Sequence, residues 1–203
     1  MRHFPFFFLA CAGLVAGATA ANVQVHVQDG AGKPLADAVV FLESPDAGRA
    51  RLATKPLTGV EMAQVARQFE PKVLVVPMGT SVQFPNRDTV RHHVYSFSPA
   101  KNFELKLYAG TPSNPVVFDK PGIAVLGCNI HDNMVAWVVA VDTPYYGRSA
   151  AAGLVVINNV PAGAYRLRVW HPAMQPGAPA LDQPLPVDLA DTTVTMRMPG
   201  LVP

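Results

Sequence analysis

Cysteine is almost missing from this sequence of 203 residues: there are two, Cys11 and Cys128. A disulfide framework is therefore excluded as the source of stability, and the fold must rest on a buried core. Charge is also scarce, at 15% of residues with a formal net charge of +2. No basic tract with interleaved aromatics argues for nucleic acid, and no acidic tail argues for an electrostatic tether. A Gly-rich phosphate loop is lacking, as is any Ser-His-Asp set in a recognisable context, so nothing points to an enzyme. No stretch of helix length keeps a 3.6-residue apolar period, whereas short apolar runs punctuated by 20 prolines and 15 glycines recur throughout. That pattern belongs to an all-β chain built as sandwiches or barrels.

Half the residues are apolar, enough for a substantial core in one domain or two small ones. The one long apolar run, Phe4 to Gly17, follows Met1-Arg2-His3 and precedes Ala18-Thr19-Ala20. It reads as a signal peptide over residues 1–20, cleaved after Ala20. At about fourteen residues the run is short of the roughly 20 that span a bilayer, so periplasmic or secreted localisation is expected, with no stable membrane insertion. Acylation of Cys11 is the lesser alternative. Cleavage removes Cys11 and leaves Cys128 as a lone thiol in an oxidising compartment, where it needs protection.

Val23 to Gln28 alternates apolar and polar residues, Asp29-Gly30-Ala31-Gly32 is a turn, and Ala38 to Leu42 is a second run, together predicting a β-hairpin. Ser44 to Glu61 reads as a loop. Further strands are expected at Val73–Val76, Ser81–Phe84, His93–Phe97, Pro115–Phe118, Ile123–Leu126 and Trp137–Val141. Beyond residue 153, Tyr165, Leu167 and Val169 alternate with Arg166 and Arg168, which marks a strand with one wet face. A Pro-rich stretch from Pro172 to Pro186 precedes closing strands at Val187–Leu189 and Thr193–Met198.

The chemistry is concentrated in Gly127-Cys128-Asn129-Ile130-His131-Asp132-Asn133-Met134. A thiolate, an imidazole and a thioether at Cys-x2-His-x2-Met form a soft ligand set that selects copper over zinc, magnesium or calcium. A second imidazole is offered by the stretch from Asn86 to Val94, which holds His92 and His93. Two His, one Cys and a weakly held Met describe a mononuclear blue-copper centre. His92 and His93 are neighbours on a strand and point to opposite faces, so only one can reach the ion; spacing from Asn86 favours His92. His93, and more strongly His26 and His171, are read as ordinary structural histidines.

Two resemblances follow from these residues. Val-x-Asp-Gly-x-Gly-x-Pro-Leu-x-Asp-Ala-Val-Val-x-Leu near the start, continued by Val160-Pro161-x-Gly163-x-Tyr165-x-Leu167-x-Val169, resembles the carboxypeptidase regulatory-like, Ig-like β-sandwich. Between the halves, Phe69-x-Pro71, Val76-x-x-Gly79-x-x-Val82-x-Phe84-x-Asn86, His92, Pro121-Gly122, Cys128, His131 and Met134 resemble the cupredoxins, with a ligand loop spaced like amicyanin's. The resemblance implies a Greek-key cupredoxin sandwich at 54–143 inserted into a discontinuous sandwich formed by 21–53 and 144–203. It implies one type 1 copper held by His92, Cys128, His131 and axial Met134, with Asn86 tying the two ligand-bearing segments together near the thiolate.

The whole arrangement resembles exported proteins labelled as methylamine-utilisation proteins. The implied role is electron transfer with a redox partner such as a cytochrome or dehydrogenase. A periplasmic copper carrier is the alternative, suggested by His93 and by polar Asp132 and Asn133 where amicyanin-like loops carry prolines. A third reading makes the outer sandwich an interaction module with an auxiliary copper site.

Overall fold

A computed structural model describes residues 20–44 and 53–202, so the leader reading, with Cys11, lies outside the described residues. The described chain is all-β. In chain order its strands are β1 (Ala20–Asp29), β2 (Val39–Glu43), β3 (Val60–Glu61), β4 (Ala63–Val65), β5 (Gln68–Glu70), β6 (Val73–Pro77), β7 (Thr80–Gln83), β8 (His92–Ser98) and β9 (Lys101–Tyr108). They continue with β10 (Val116–Phe118), β11 (Gly122–Cys128), β12 (Val135–Val141), β13 (Tyr146–Arg148), β14 (Leu154–Pro161), β15 (Gly163–Trp170), β16 (Leu181–Val187) and β17 (Thr192–Met198).

Alternation along these strands decides which faces are buried, because successive side chains point to opposite sides. Val23, Val25 and Val27 of β1 meet Leu42 of β2, Leu167 and Val169 of β15 and Met196 and Met198 of β17 in one core. The two sheets around that core run β14-β1-β17 and β13-β2-β15-β16. A second core holds Val82 and Phe84 with Val94, Ala124, Leu126, Cys128, Ala136 and Val138. It lies between a sheet ordered β6-β12-β11-β8-β9 and a smaller one ordered β10-β7-β3. A third cluster of Val39, Val73, Val139, Val141 and Trp170 joins the two assemblies, with the Trp137 and Trp170 rings 6.2 Å apart.

The expected hairpin between the first two strands is not formed. β1 pairs with β14 and β17, while β2 pairs with β13 and β15. Asp29 does make a turn, its Oδ1 accepting from Ala31 N at 2.9 Å and Lys33 N at 2.8 Å. The chain then crosses to the facing sheet instead of returning alongside β1. The Pro-rich stretch also hides a strand, β16, which among the described residues pairs only with β15 and so tolerates Pro184 and Pro186 as an edge strand does. β9 likewise falls where no strand was expected, and Ser44–Glu61 ends in the short β3.

Tyr165 anchors the β14–β15 turn by donating its hydroxyl proton to Pro161 O at 3.0 Å. Tyr165→Phe removes that single bond while keeping the ring, and should lower stability by about 1 kcal/mol in chemical denaturation.

Candidate metal centre

The inward face of β11 reads Ala124, Leu126, Cys128, so the thiol is the last member of an apolar row and is 4% exposed. The inward face of β8 reads His92, Val94, Ser96, so period two places the first residue of β8 on the same side. Pairing of Cys128 with Val94 and of Gly127 with Tyr95 fixes the two strands at this end. The loop 129–134 then returns the chain to β12, closed by Asn129 N donating to His93 O at 3.2 Å and Met134 N to His131 O at 3.0 Å. His131 sits half-buried on that loop, while Met134, fully buried, packs in the same core cluster as Cys128.

Two imidazole nitrogens converge on the sulfur. His92 Nδ1 is 3.8 Å and His131 Nδ1 is 3.7 Å from Cys128 Sγ, and the three ligand atoms all lie within 4.8 Å of one another. With metal–sulfur and metal–nitrogen bonds of about 2.3 and 2.0 Å and an angle of about 120°, the sulfur–nitrogen edge would be roughly 3.7 Å. Both edges match a trigonal arrangement, the one that a His2Cys set with a distant thioether gives to copper. These donors fit one copper ion.

No family description matches this sequence. No curated protein matches it either. Among solved structures the chain is similar to a copper-containing nitrite reductase from Thermus scotoductus SA-01, at 26% identity and a TM-score of 0.39 over 45% of this chain and 26% of the other. The chain thus spans about a quarter of that protein's length. It is similar to a purple cupredoxin from Nitrosopumilus maritimus, at 22% identity and a TM-score of 0.36 over 40% of this chain and 99% of that one. It is also similar to a methionine-to-alanine mutant of amicyanin in the Cu(I) form, at 18% identity and a TM-score of 0.37 over 52% of this chain and 99% of the other.

Around the donors, Asn86 works differently from the expectation. Its Nδ2 donates to Val90 O at 2.8 Å and Tyr108 O at 2.9 Å, and its Oδ1 accepts from Asp88 N at 3.0 Å. Those bonds lock the 86–91 turn against the end of β9. The His92 and Cys128 segments are joined instead through the backbone, by the pairing of Cys128 with Val94 and the bond from Asn129 N to His93 O. Behind this turn the Tyr108 hydroxyl lies 2.7 Å from Phe84 O and 2.8 Å from Gln64 Oε1. Burial raises the Tyr108 pKa far above the usual tyrosine range, the Gln64 bond opposing and the electrostatic influence of nearby Cys128 adding to the rise. It stays a neutral proton donor.

His93 points to the opposite face of β8, as two adjacent strand residues must. Its Nε2 is 2.8 Å from Glu104 Oε1, and its ring meets Tyr95 edge-on at 6.3 Å. His171 is spent on the backbone, Nε2 donating to Ala36 O and Nδ1 accepting from Ala173 N, both at 3.0 Å. Burial lowers its pKa, which keeps it neutral. His26 stays on β1, opposite Leu154 and Thr195.

One residue at the centre went unread in the sequence. Asp88 Oδ2 lies 2.7 Å from His92 Nε2, the ring nitrogen turned away from the sulfur. Burial pushes the Asp88 carboxyl up, but bonds from Arg67 N–H, His92 and Ala66 N–H outweigh it and leave the pKa below the ordinary value. The available signal was a carboxylate two residues after Asn86 and four before His92.

Proposed function

We propose that the chain is an exported blue-copper protein of the cupredoxin kind that carries single electrons between partner proteins. The observation that carries this reading is the convergence of two imidazoles on one buried thiol at the edges of a trigonal site, on strand ends that the core holds rigid. A copper ion there supplies a one-electron couple. The residues supply a geometry that need not rearrange when the charge changes, and half-buried His131 offers the route to a partner at the surface.

With Met134 completing the set, four protein donors leave no open position for a substrate, unlike a catalytic zinc site. We therefore read the chain as non-enzymatic. The carrier alternative drew part of its support from His93, which bonds Glu104 on the far face of β8; polar Asp132 and Asn133 remain its support. We divide the chain as expected, with the copper unit at 54–143 and an outer sandwich at 21–53 and 144–203. The separate cores are consistent with that division, and the Trp137–Trp170 contact supports a fixed mounting for the copper unit. A redox protein, a cytochrome or dehydrogenase, is the partner class, and the reading of residues 1–20 as a cleaved signal peptide supports a periplasmic or secreted mature chain. No helix among the described residues is long and apolar enough to cross a membrane.

Titration of the purified mature chain with Cu(II) tests the reading. One ion should bind per chain, with an intense visible thiolate-to-copper absorption that bleaches on reduction. A colourless Cu(II) complex would sink it.

A further inference from the structure

We propose that the cleft where the two sandwiches meet is a binding site for a small zwitterion with an apolar body, a free α-amino acid of the phenylalanine or leucine kind. It stands apart from the copper centre. Ile123, at the cleft, and Cys128 lie near opposite ends of β11, roughly 17 Å apart at the rise of a strand, so ligand and ion do not touch.

Period two decides which side chains build the cleft. The inward rows of β2, β15, β11 and β12 fill the two separate cores, which leaves Phe41, Arg168 and Trp170 facing Ile123, Val139 and Val141 across the junction. Part of that junction is closed: Val39, Val73, Val139, Val141 and Trp170 are buried against one another. Beside them the faces leave a cavity of about 460 Å³, within the size range of small-ligand sites. Phe41, Ile123, Val139 and Trp170 give it apolar walls, and Glu43, Asp142 and Arg168 bring charge to it.

Arg168 is the residue that names the ligand. It pairs across the sheet with Phe41, and its guanidinium lies over that ring at 6.0 Å from the centroid. Nη1 donates to Glu43 Oε2 at 3.2 Å, while Nε is buried with no hydrogen-bond partner. Arg166, two residues earlier on the same face, is by contrast more exposed and paired with Asp182. The edge of the Arg168 fork formed by Nε and Nη2 is thus unused among the described residues. A carboxylate meets such an edge with two parallel N–H···O bonds. A buried donor without a partner is costly, so the guanidinium gains by turning that edge over Phe41 toward an entering acceptor.

The remaining charges select what accompanies the carboxylate. Glu43 and Asp142 set two acidic groups at the cleft against one guanidinium, so a bare anion would meet an excess of its own sign. An ammonium on the carbon next to the carboxylate removes that mismatch. A peptide separates its two end charges and does not supply it. The side chain of the amino acid then lies against Trp170 and Ile123.

Calorimetry of the mature chain with L-phenylalanine, L-leucine, 3-phenylpropanoate and 2-phenylethylamine tests this, the last two each lacking one charge of phenylalanine. Phenylalanine should bind about tenfold or more tighter than either, the effect of one charge-assisted hydrogen bond. Tryptophan fluorescence should change on binding, because Trp170 lines the cleft and Trp137 stands 6.2 Å from it. In Arg168→Gln the preference for phenylalanine over 2-phenylethylamine should vanish, whereas Arg166→Gln should bind as wild type does. Wild type alone decides the matter if Arg168→Gln does not fold: binding of neither amino acid, or phenylalanine no tighter than 3-phenylpropanoate or 2-phenylethylamine, overturns the proposal. So does a folded Arg168→Gln that keeps the full preference. No copper is needed for these measurements, so a colourless copper complex would defeat the functional reading and leave this one standing.

Discussion

Cys128→Ser is expected to abolish the visible absorption of the copper-loaded protein and weaken its metal binding by more than the roughly 10–100-fold that changes outside the ligand shell cause. Colour in such a site requires a thiolate that donates charge to Cu(II), and the described residues contain no other cysteine. A serine hydroxyl is hard, stays protonated near neutral pH and contributes no such transition. The fold should survive, because the swap is close in size. The hydroxyl sits between two imidazole nitrogens that flank the present sulfur at 3.7 and 3.8 Å, so a hydrogen-bond partner is within reach of a small adjustment. The measurement is a Cu(II) titration followed by optical absorption and calorimetry, with circular dichroism as the check on folding. A variant that stays blue would remove Cys128 from the centre.

Gly153→Ala is expected to cost about 2–4 kcal/mol, the sum of a left-handed backbone for a residue with a Cβ and overpacking against rigid atoms. Gly153 has φ +70°, and an added Cβ would lie 2.4 Å from Val27 O and 3.1 Å from Leu35 N. These are backbone atoms in use: Gly153 O accepts from Val27 N at 2.8 Å, and Val27 O accepts from Leu35 N at 3.0 Å. Neither can yield without opening the start of the β1–β14 pairing. At about 2–4 °C per kcal/mol for a chain of this size, the thermal midpoint should drop by roughly 4–16 °C. The copper spectrum should be unchanged in the folded fraction, since residue 153 belongs to the other core. An unaltered midpoint would show that the β1–β14 junction relaxes freely.

The donor set was legible because three of its members fall in one loop, where sequence distance and spatial distance nearly coincide. His92 was legible through alternation, which also assigned His93 to the opposite face. Asp88 escaped because its importance depends on the β4–β5 turn, more than twenty residues earlier and too short to show as a pattern. The first hairpin was misread for a related reason. Asp29 and Gly30 announce a change of direction, but whether the chain turns back or crosses to the facing sheet depends on partners such as Val155 and Val194, which lie far along the chain. Proline hid β16 because its exclusion from strands lapses at an edge. β9, by contrast, alternates Phe103, Leu105 and Leu107 with Asn102, Glu104 and Lys106, and was open to the same test that found its neighbours.

Between β8 and β11 the ladder has only two rungs, Tyr95 with Gly127 and Val94 with Cys128. Beyond them the link passes through a side chain, Ser98 Oγ accepting the amide proton of Val125 at 2.9 Å. The backbone rungs between the two strands that furnish His92 and Cys128 thus lie beside the donors themselves. An ion bridging those side chains would add a further tie at the paired end of this seam, so loading the centre should stiffen a sheet that is already closed there.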